Sequence, residues 1–425
     1  MATPDSWRPT RLSVVSWAVY DLANTIFALG VGGLYFPKWL TENDATDLSL
    51  ALAINAAMAA VIVLAPWIGA RSDHRGRRVG YLVPATLLAV GPTFFLATVG
   101  VLPSLALFSV ALVGFHLGSV VYDALLPDVS TAENRGRISG FGVGVGYLGS
   151  FIAVLVGVVL LGPDGHPAVF RTIALLFLLF ALPSFLFVKE RPRGRQPGPP
   201  PAIGASLRRL ADAWRRARTY RGVARFLIGR FFYTDAINTL IGGFLTIFVI
   251  EELGFSDGEV QGLLAVGIVG AMLGGLVGGR IVDAVGPRRL LNATITTWAG
   301  AVMLGVIAAL ADVRLLAWAL GVIGGFALGA TWSADRVYMA RISPPRYLGE
   351  FYGLYATVGR FATFLGPLMW GLLVTVAGFP RTVAMGALVV FLVVSRLILG
   401  GVDDRPRVWA TNDLEGLGVI DDRTA

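Results

Sequence analysis

Cysteine is absent from all 425 residues, histidine occurs three times, and only 15% of residues carry charge. The first absence excludes disulfides, thiol nucleophiles and cysteine metal sites, and leaves the redox compartment unread. Three scattered histidines make no zinc constellation, so no metal is expected. No P-loop or other nucleotide cassette occurs, so neither ATP-driven work by this chain nor a cofactor is expected, and the chain does not read as an enzyme. Soluble domains run near a quarter charged. The shortage of charge, with 55% hydrophobic residues and a mean hydropathy of +0.71, defines an integral membrane protein. The N-terminal MATPDSWRPTRLS lacks a short apolar core with a cleavage site, so the first apolar run reads as a retained helix.

What the chain does have is long apolar runs. They lie near 14–40, 48–70, 79–100, 103–126, 137–161 and 169–188, then near 224–250, 258–283, 288–311, 314–341, 349–376 and 380–401. Each approaches the ~20 residues that cross a bilayer core. The expected architecture is all-α: twelve transmembrane helices, six in an N-terminal bundle (1–188) and six in a C-terminal bundle (223–402). A basic linker (189–222) joins them and a polar tail (403–425) follows. The net charge of +8 does not point to nucleic acid, because the arginines concentrate in alternate loops. TENDATDL and EELGFSDGE are acidic, whereas RSDHRGRR, the linker and PRR at 287–289 are basic. That alternation predicts a multi-pass protein of the plasma membrane with both termini cytoplasmic.

The linker divides in two. Its Pro/Gly-rich start reads as an extended tether. From Ser206 to Tyr220, Leu207, Leu210, Trp214 and Ala217 recur at helical spacing, with arginines over the rest of the circumference. This predicts an amphipathic helix on the inner membrane surface.

The chain is internally duplicated. YDLANT (Tyr20 to Thr25) returns as YTDAINT (Tyr233 to Thr239), so Asp21 and Asn24 map onto Asp235 and Asn238. An acid and an amide three apart share one helix face, and an ionisable group in a membrane helix is a functional candidate by default. Gly69, Asp73 and Gly76 in GARSDHRGRR return as Gly279, Asp283 and Gly286 in GRIVDAVGPRR, and GRISG at 136–140 returns as GEFYG at 349–353. An even number of helices separates the copies, so the repeats are parallel.

The G-x-x-x-D-x-x-G-R-R loop between the second and third runs resembles the signature of the major facilitator superfamily. More narrowly, YDLANT, YDALLPDVS, GRISGFGVGVGYLG, RFFYTDAINT and SPPRYLGEFYGLYATVGRFATFLGP are similar to the vacuole effluxer branch, over roughly residues 14–400. That branch includes a fungal autophagy-related vacuolar amino-acid exporter. The resemblance implies secondary active transport by alternating access, with a small-molecule substrate, a coupling ion, the lipid bilayer as partner, and a monomer as working unit. It also implies a cytoplasmic latch at the loop motif, formed by Gly69, Asp73, Gly76, Arg77 and Arg78. Asp73 is expected at a nearby helix N-terminus and Arg77 or Arg78 on Asp128, with Asp283 and Arg341 the second-half counterparts. The glycine-rich fifth and eighth helices are expected to face each other between the bundles.

Deeper in the membrane, Asp21 and Asp235 are candidates to carry a coupling proton; with the Asn24 and Asn238 carbonyls they offer oxygen to sodium instead. The bland alternative is an acid locked to a fixed partner. Arg360 and Arg230 are the basic candidates, suited to a carboxylate or phosphate. Tyr20, Thr25, Tyr233 and Tyr355 are candidate cavity residues, and His116 with Asp123 a candidate proton relay. For Asp123, Asp335 and Arg336, solvated helix-end charges are an equal reading. The function expected is proton-coupled export of a small polar solute, with amino acids first. Sugar, drug or lipid transport is the alternative, and a solute-sensing receptor is disfavoured by the short linker.

Overall fold

The computed structural model describes residues 8–131, 134–161, 165–191, 199–344, 347–403, 405, 407–408 and 419–420. The expected tether at 192–198, most of the tail and the first seven residues lie outside them. Every membrane element is helical, and the chain divides into two compact units.

Unit 1 comprises residues 1–207 and Gly242–Ile247. It holds α1 (Arg11–Glu42), α2 (Asp47–Arg75), α3 (Val79–Phe94), α4 (Val101–Leu125), α5 (Arg135–Leu160) and α6 (Gly165–Phe187). Thr10 starts α1 by accepting the Ser13 amide, and Thr46 starts α2 by accepting that of Ser49. α2 ends on Gly76 at φ 65°, a left-handed conformation that a residue with a Cβ resists. A buried aromatic stack fills the centre: Phe36 lies 4.1 Å from Phe108, and Phe27 4.9 Å from Phe115.

Unit 2 comprises Arg208–Ile241 and Phe248–Ala425. Its membrane helices are α7 (Val223–Glu251, of which 242–247 belong to unit 1), α8 (Asp257–Val285), α9 (Pro287–Leu310), α10 (Arg314–Ile342), α11 (Leu348–Val376) and α12 (Arg381–Gly400). A reciprocal Ser256–Glu259 capping box starts α8. The linker helix, Ile203–Thr219, buries Ser206, Ala213 and Ala217 and exposes its arginines. Arg216 reaches Glu350 at 3.0 Å, and Tyr220 packs on Tyr347 and Phe351. The division between units falls inside this helix rather than in a loop. In the tail, Arg407–Val408 pairs antiparallel with Val419–Ile420.

Eleven of the helices are long and apolar enough to span a bilayer. The remaining one, α3, has 16 residues, or about 24 Å at 1.5 Å per residue, against a hydrocarbon core of about 30 Å. Leucines and valines such as Leu102, Leu155, Val159, Leu276, Leu315 and Leu397 stand exposed on the helices, surface that only lipid covers without cost.

Both units depart from regular helix at a Gly-Gly pair, in different ways. α1 widens into a π-helical turn at Ala28–Tyr35, whereas α7 kinks within Leu240–Phe244, where Gly243 takes φ 116°. α11 is broken: helix Leu348–Phe361 stops, residues 362–364 turn, and helix Leu365–Gly371 resumes. α5, its counterpart in the repeat, is continuous from Arg135 to Leu160.

The glycines of α5 and α8 let helices pack closely within each unit. A Cβ on Gly274 would lie 1.9 Å from the Phe326 carbonyl oxygen, and one on Gly278 2.8 Å from Ala330 Cα. The α8 glycines therefore pack α8 onto α10 within unit 2. Those of α5 accept α1: Gly149 meets the Leu22 carbonyl and Gly142 the Trp17 ring. Close packing inside each unit is thus one use of these glycines, and it is compatible with the sliding surface that the spacing suggests.

Candidate functional site

In unit 2, the acid-amide pair of α7 holds the break in α11. An interrupted helix leaves carbonyls at the end of one piece and N–H groups at the start of the next without helical partners. The Asn238 amide donates to the Ala362 carbonyl at 2.7 Å, the Gly359 carbonyl at 3.3 Å and Thr363 Oγ1 at 3.2 Å. Asp235 Oδ2 accepts the Gly366 amide at 2.9 Å, and the Leu365 and Phe364 amides also point to it. One residue caps the outgoing piece and the other the incoming piece. Asp235 is fully buried and its Oδ1 has no hydrogen-bond partner among the described residues. The second-half acid thus holds the incoming piece of α11 through Oδ2.

One turn earlier, α7 contributes a charged cluster. Arg230 Nε lies 3.4 Å from Asp335 Oδ2 on α10, and Tyr233 donates its hydroxyl to the same oxygen at 3.0 Å. The guanidinium sits 3.8 Å from the centre of the Tyr355 ring and 5.8 Å from that of Trp332. Arg230 is 5% exposed and Asp335 is fully buried, so neither is a solvated helix-end charge. Gly359 makes the room: a Cβ there would lie 2.5 Å from Arg230 Nη1. Two polar atoms of the cluster, Arg230 Nε and Asp335 Oδ1, have no hydrogen bond among the described residues. Arg360, the other basic candidate, lies half-buried in the last turn before the break.

Unit 1 is built differently at the matching height. Tyr20 is fully buried between Tyr122, 5.2 Å away, and Phe177. Thr86 spends its one proton on the Leu82 carbonyl, so the 2.7 Å contact is a donation from Tyr20 to Thr86. Trp17 stacks on Tyr122 at 4.7 Å and donates its indole N–H to the Tyr122 carbonyl. Asp21 faces Gly146 of α5, where a Cβ would come 2.6 Å from Oδ2, and Thr25 donates to the Asp21 carbonyl at 2.8 Å. Asn24 is buried with its carbonyl oxygen unpaired among the described residues. His116 sits edge-on to Phe115, and Asp123 is exposed.

At the loop motif, Arg78 is the junction. Its guanidinium meets Asp73 at 2.6 Å and Asp128 at 3.2 Å, and it also donates to the Ala124 carbonyl. Asp73 therefore takes a guanidinium, while the N-terminus of α3 is capped by Glu190, which accepts the Arg78 and Val79 amides at 2.6 and 2.8 Å. Glu190 was hidden in the sequence by its basic neighbours. Arg77 is exposed, and Gly69 has only ordinary contact distances around it. In the second copy Gly286 also adopts positive φ, but Asp283 is exposed and neither it nor Arg341 makes an ion pair among the described residues. There Arg288 donates to the Gly400 carbonyl at the end of α12 instead.

Comparison with known proteins decides the family. The Atg22-like vacuole effluxer family matches residues 42–407. This chain belongs to that family. It is 26% identical over 413 residues to an uncharacterized MFS-type transporter, YxiO of Bacillus subtilis, covering 92% of this chain and 94% of that one. Autophagy-related protein 22 of Yarrowia lipolytica is 29% identical over 281 residues, 57% of this chain and 46% of the fungal protein. Among solved structures, the nucleoside transporter NupG superposes with a TM-score of 0.70 at 13% identity, covering 92% and 98% of the two chains. A bacterial homologue of the human lysosomal transporter Spinster gives 0.67 at 17% identity, covering 92% and 95%. The fold is that of the major facilitator superfamily, and the chain is a multi-pass membrane transporter rather than an enzyme.

Proposed function

We propose that this transporter exports a small zwitterion, an amino acid in the first instance, by proton-coupled alternating access. The observation that carries the reading is the Arg230–Asp335 cluster. It offers a guanidinium and a carboxylate side by side, with Asp335 Oδ1 buried and without a hydrogen bond among the described residues. A substrate carboxylate suits the first and an ammonium the second. Tyr355 and Trp332 supply ring faces to the same charge. Charges of this kind inside a membrane protein are retained where they line a pathway.

In the same reading Asp21, set against Gly146, is the coupling acid, and Arg78 with Asp73 and Asp128 forms a cytoplasmic latch. α3 completes twelve spans, the protein works as a monomer in the plasma membrane, and the basic loops put both termini in the cytoplasm. The name of the matching family, an effluxer, supports the export direction.

Counterflow in liposomes tests the substrate. Vesicles holding the purified protein and unlabelled amino acids should take up labelled amino acid saturably. The parent amino acid should compete, whereas its methyl ester and its decarboxylated amine should not. Equal competition by the amine, or uptake only of sugars or apolar drugs, contradicts the zwitterion reading and leaves the transporter fold intact.

A further inference from the structure

Unit 1 contains a cavity of about 520 Å³ at the N-terminal ends of α1 and α5, lined by Arg8, Pro9, Arg11, Val14 and Val15 on one side and Thr131, Asn134, Arg137, Ile138 and Phe141 on the other. It lies on the N-terminal side of the Asp21 stretch, on the same helix, and plays no part in the transport reading. Its lining has two chemistries. Three arginines form a cationic end, and none of them makes an ion pair among the described residues. No acidic side chain stands among the described lining residues. Three unpaired guanidiniums gathered on one concave surface repel one another, and an anion with several oxygens relieves that cost.

The other end is apolar. Val14 and Ile138 form the wall, and Val15 (47% exposed) and Phe141 (47% exposed) carry it outward to Leu12 (55% exposed). These residues open each helix within one to two turns of the arginines, where a membrane helix passes from headgroup to hydrocarbon. A soluble anion has no use for that lip. A molecule with a phosphate at one end and alkyl chains at the other matches both ends. The volume falls within the range of small-molecule pockets, enough for a headgroup and its glycerol with the chains running out over Phe141.

We propose that this cavity binds an anionic glycerophospholipid of the surrounding bilayer, its phosphate on Arg8, Arg11 and Arg137 and its acyl chains along Val15 and Phe141.

Native mass spectrometry of the full chain, released from mixed phosphatidylglycerol and phosphatidylcholine, reads this directly. Wild type should retain phosphatidylglycerol over phosphatidylcholine by at least about tenfold. The triple variant R8Q/R11Q/R137Q changes only exposed side chains and should lose that preference with its unfolding temperature unchanged. Phe141→Ser should weaken retention of long-chain lipid more than that of a short-chain phosphatidylglycerol. An undiminished preference in the triple variant overturns the proposal. So does displacement of the lipid by glycerol 3-phosphate at equal concentration, which assigns the cavity to a soluble phosphate.

Discussion

The two copies of the acid-amide stretch occupy matching places in the repeat and do different work. In α7, Asp235 and Asn238 cap the two ends of a broken helix, and Arg230 beside them joins a buried ion pair with Asp335. In α1, the facing helix α5 is unbroken and has no ends to cap, so Asp21 lies along a glycine instead, amid a stack of Trp17, Tyr20 and Tyr122. Position 122 is a tyrosine where its repeat partner 335 is an aspartate. Duplication supplied one scaffold. Divergence placed the charge pair in one copy and left the acid of the other without a capping duty.

That asymmetry can be broken by substitution, and the largest effect belongs to the ion pair. Arg230→Gln leaves Asp335 charged and buried, and should destabilise the protein by about 3–5 kcal/mol, read as loss of thermal stability in detergent, with substrate exchange abolished. At the unit 1 counterpart, Tyr122→Phe removes a buried hydroxyl that has no partner among the described residues. It should change stability by no more than about 0.5 kcal/mol. Equal costs at the two positions would erase the contrast.

Next comes the cap. Asp235→Ala strips the acceptor from the Gly366, Leu365 and Phe364 amides and should cost about 1–3 kcal/mol. Asp235→Asn keeps a carbonyl oxygen there and should lose less. A stable Asp235→Ala protein argues that the break holds itself. The smallest structural effect and the most specific functional one fall to Asp21→Asn. Stability should stay near wild type, exchange should persist, and the movement of protons followed by an internal pH dye should vanish. Proton movement as in wild type removes Asp21 from the coupling scheme.

Much of this was legible in the sequence for physical reasons. Bilayer thickness imposes a length on every apolar run, and loop arginines stand out against so little charge, so the helices and their duplication could be read directly. The family followed from the loop motif and the effluxer-like stretches, because those residues recur as a set. Partner choice could not be read. The pattern D-x-x-N looks the same whether it meets a helix break or a glycine face; Pro367, which has no N–H for the residue 363 carbonyl, marks a bend near 362–364 but not the partners that cap it. Asp335 could be read as a solvated charge because it lies near the end of its apolar run, yet helical geometry turns it inward to Arg230. Glu190 was masked by a basic context. Nor could the spacing of the α8 glycines name the α10 backbone that packs against them.

The measurement that bears most directly on the account is amino-acid counterflow by the double variant Arg230→Gln with Asp335→Asn. Removing both charges relieves the stranded partner that each single variant leaves, so stability should recover toward wild type. If the pair receives the substrate, the recovered protein still exchanges no amino acid. Exchange restored along with stability would contradict the account and make the pair a structural bolt.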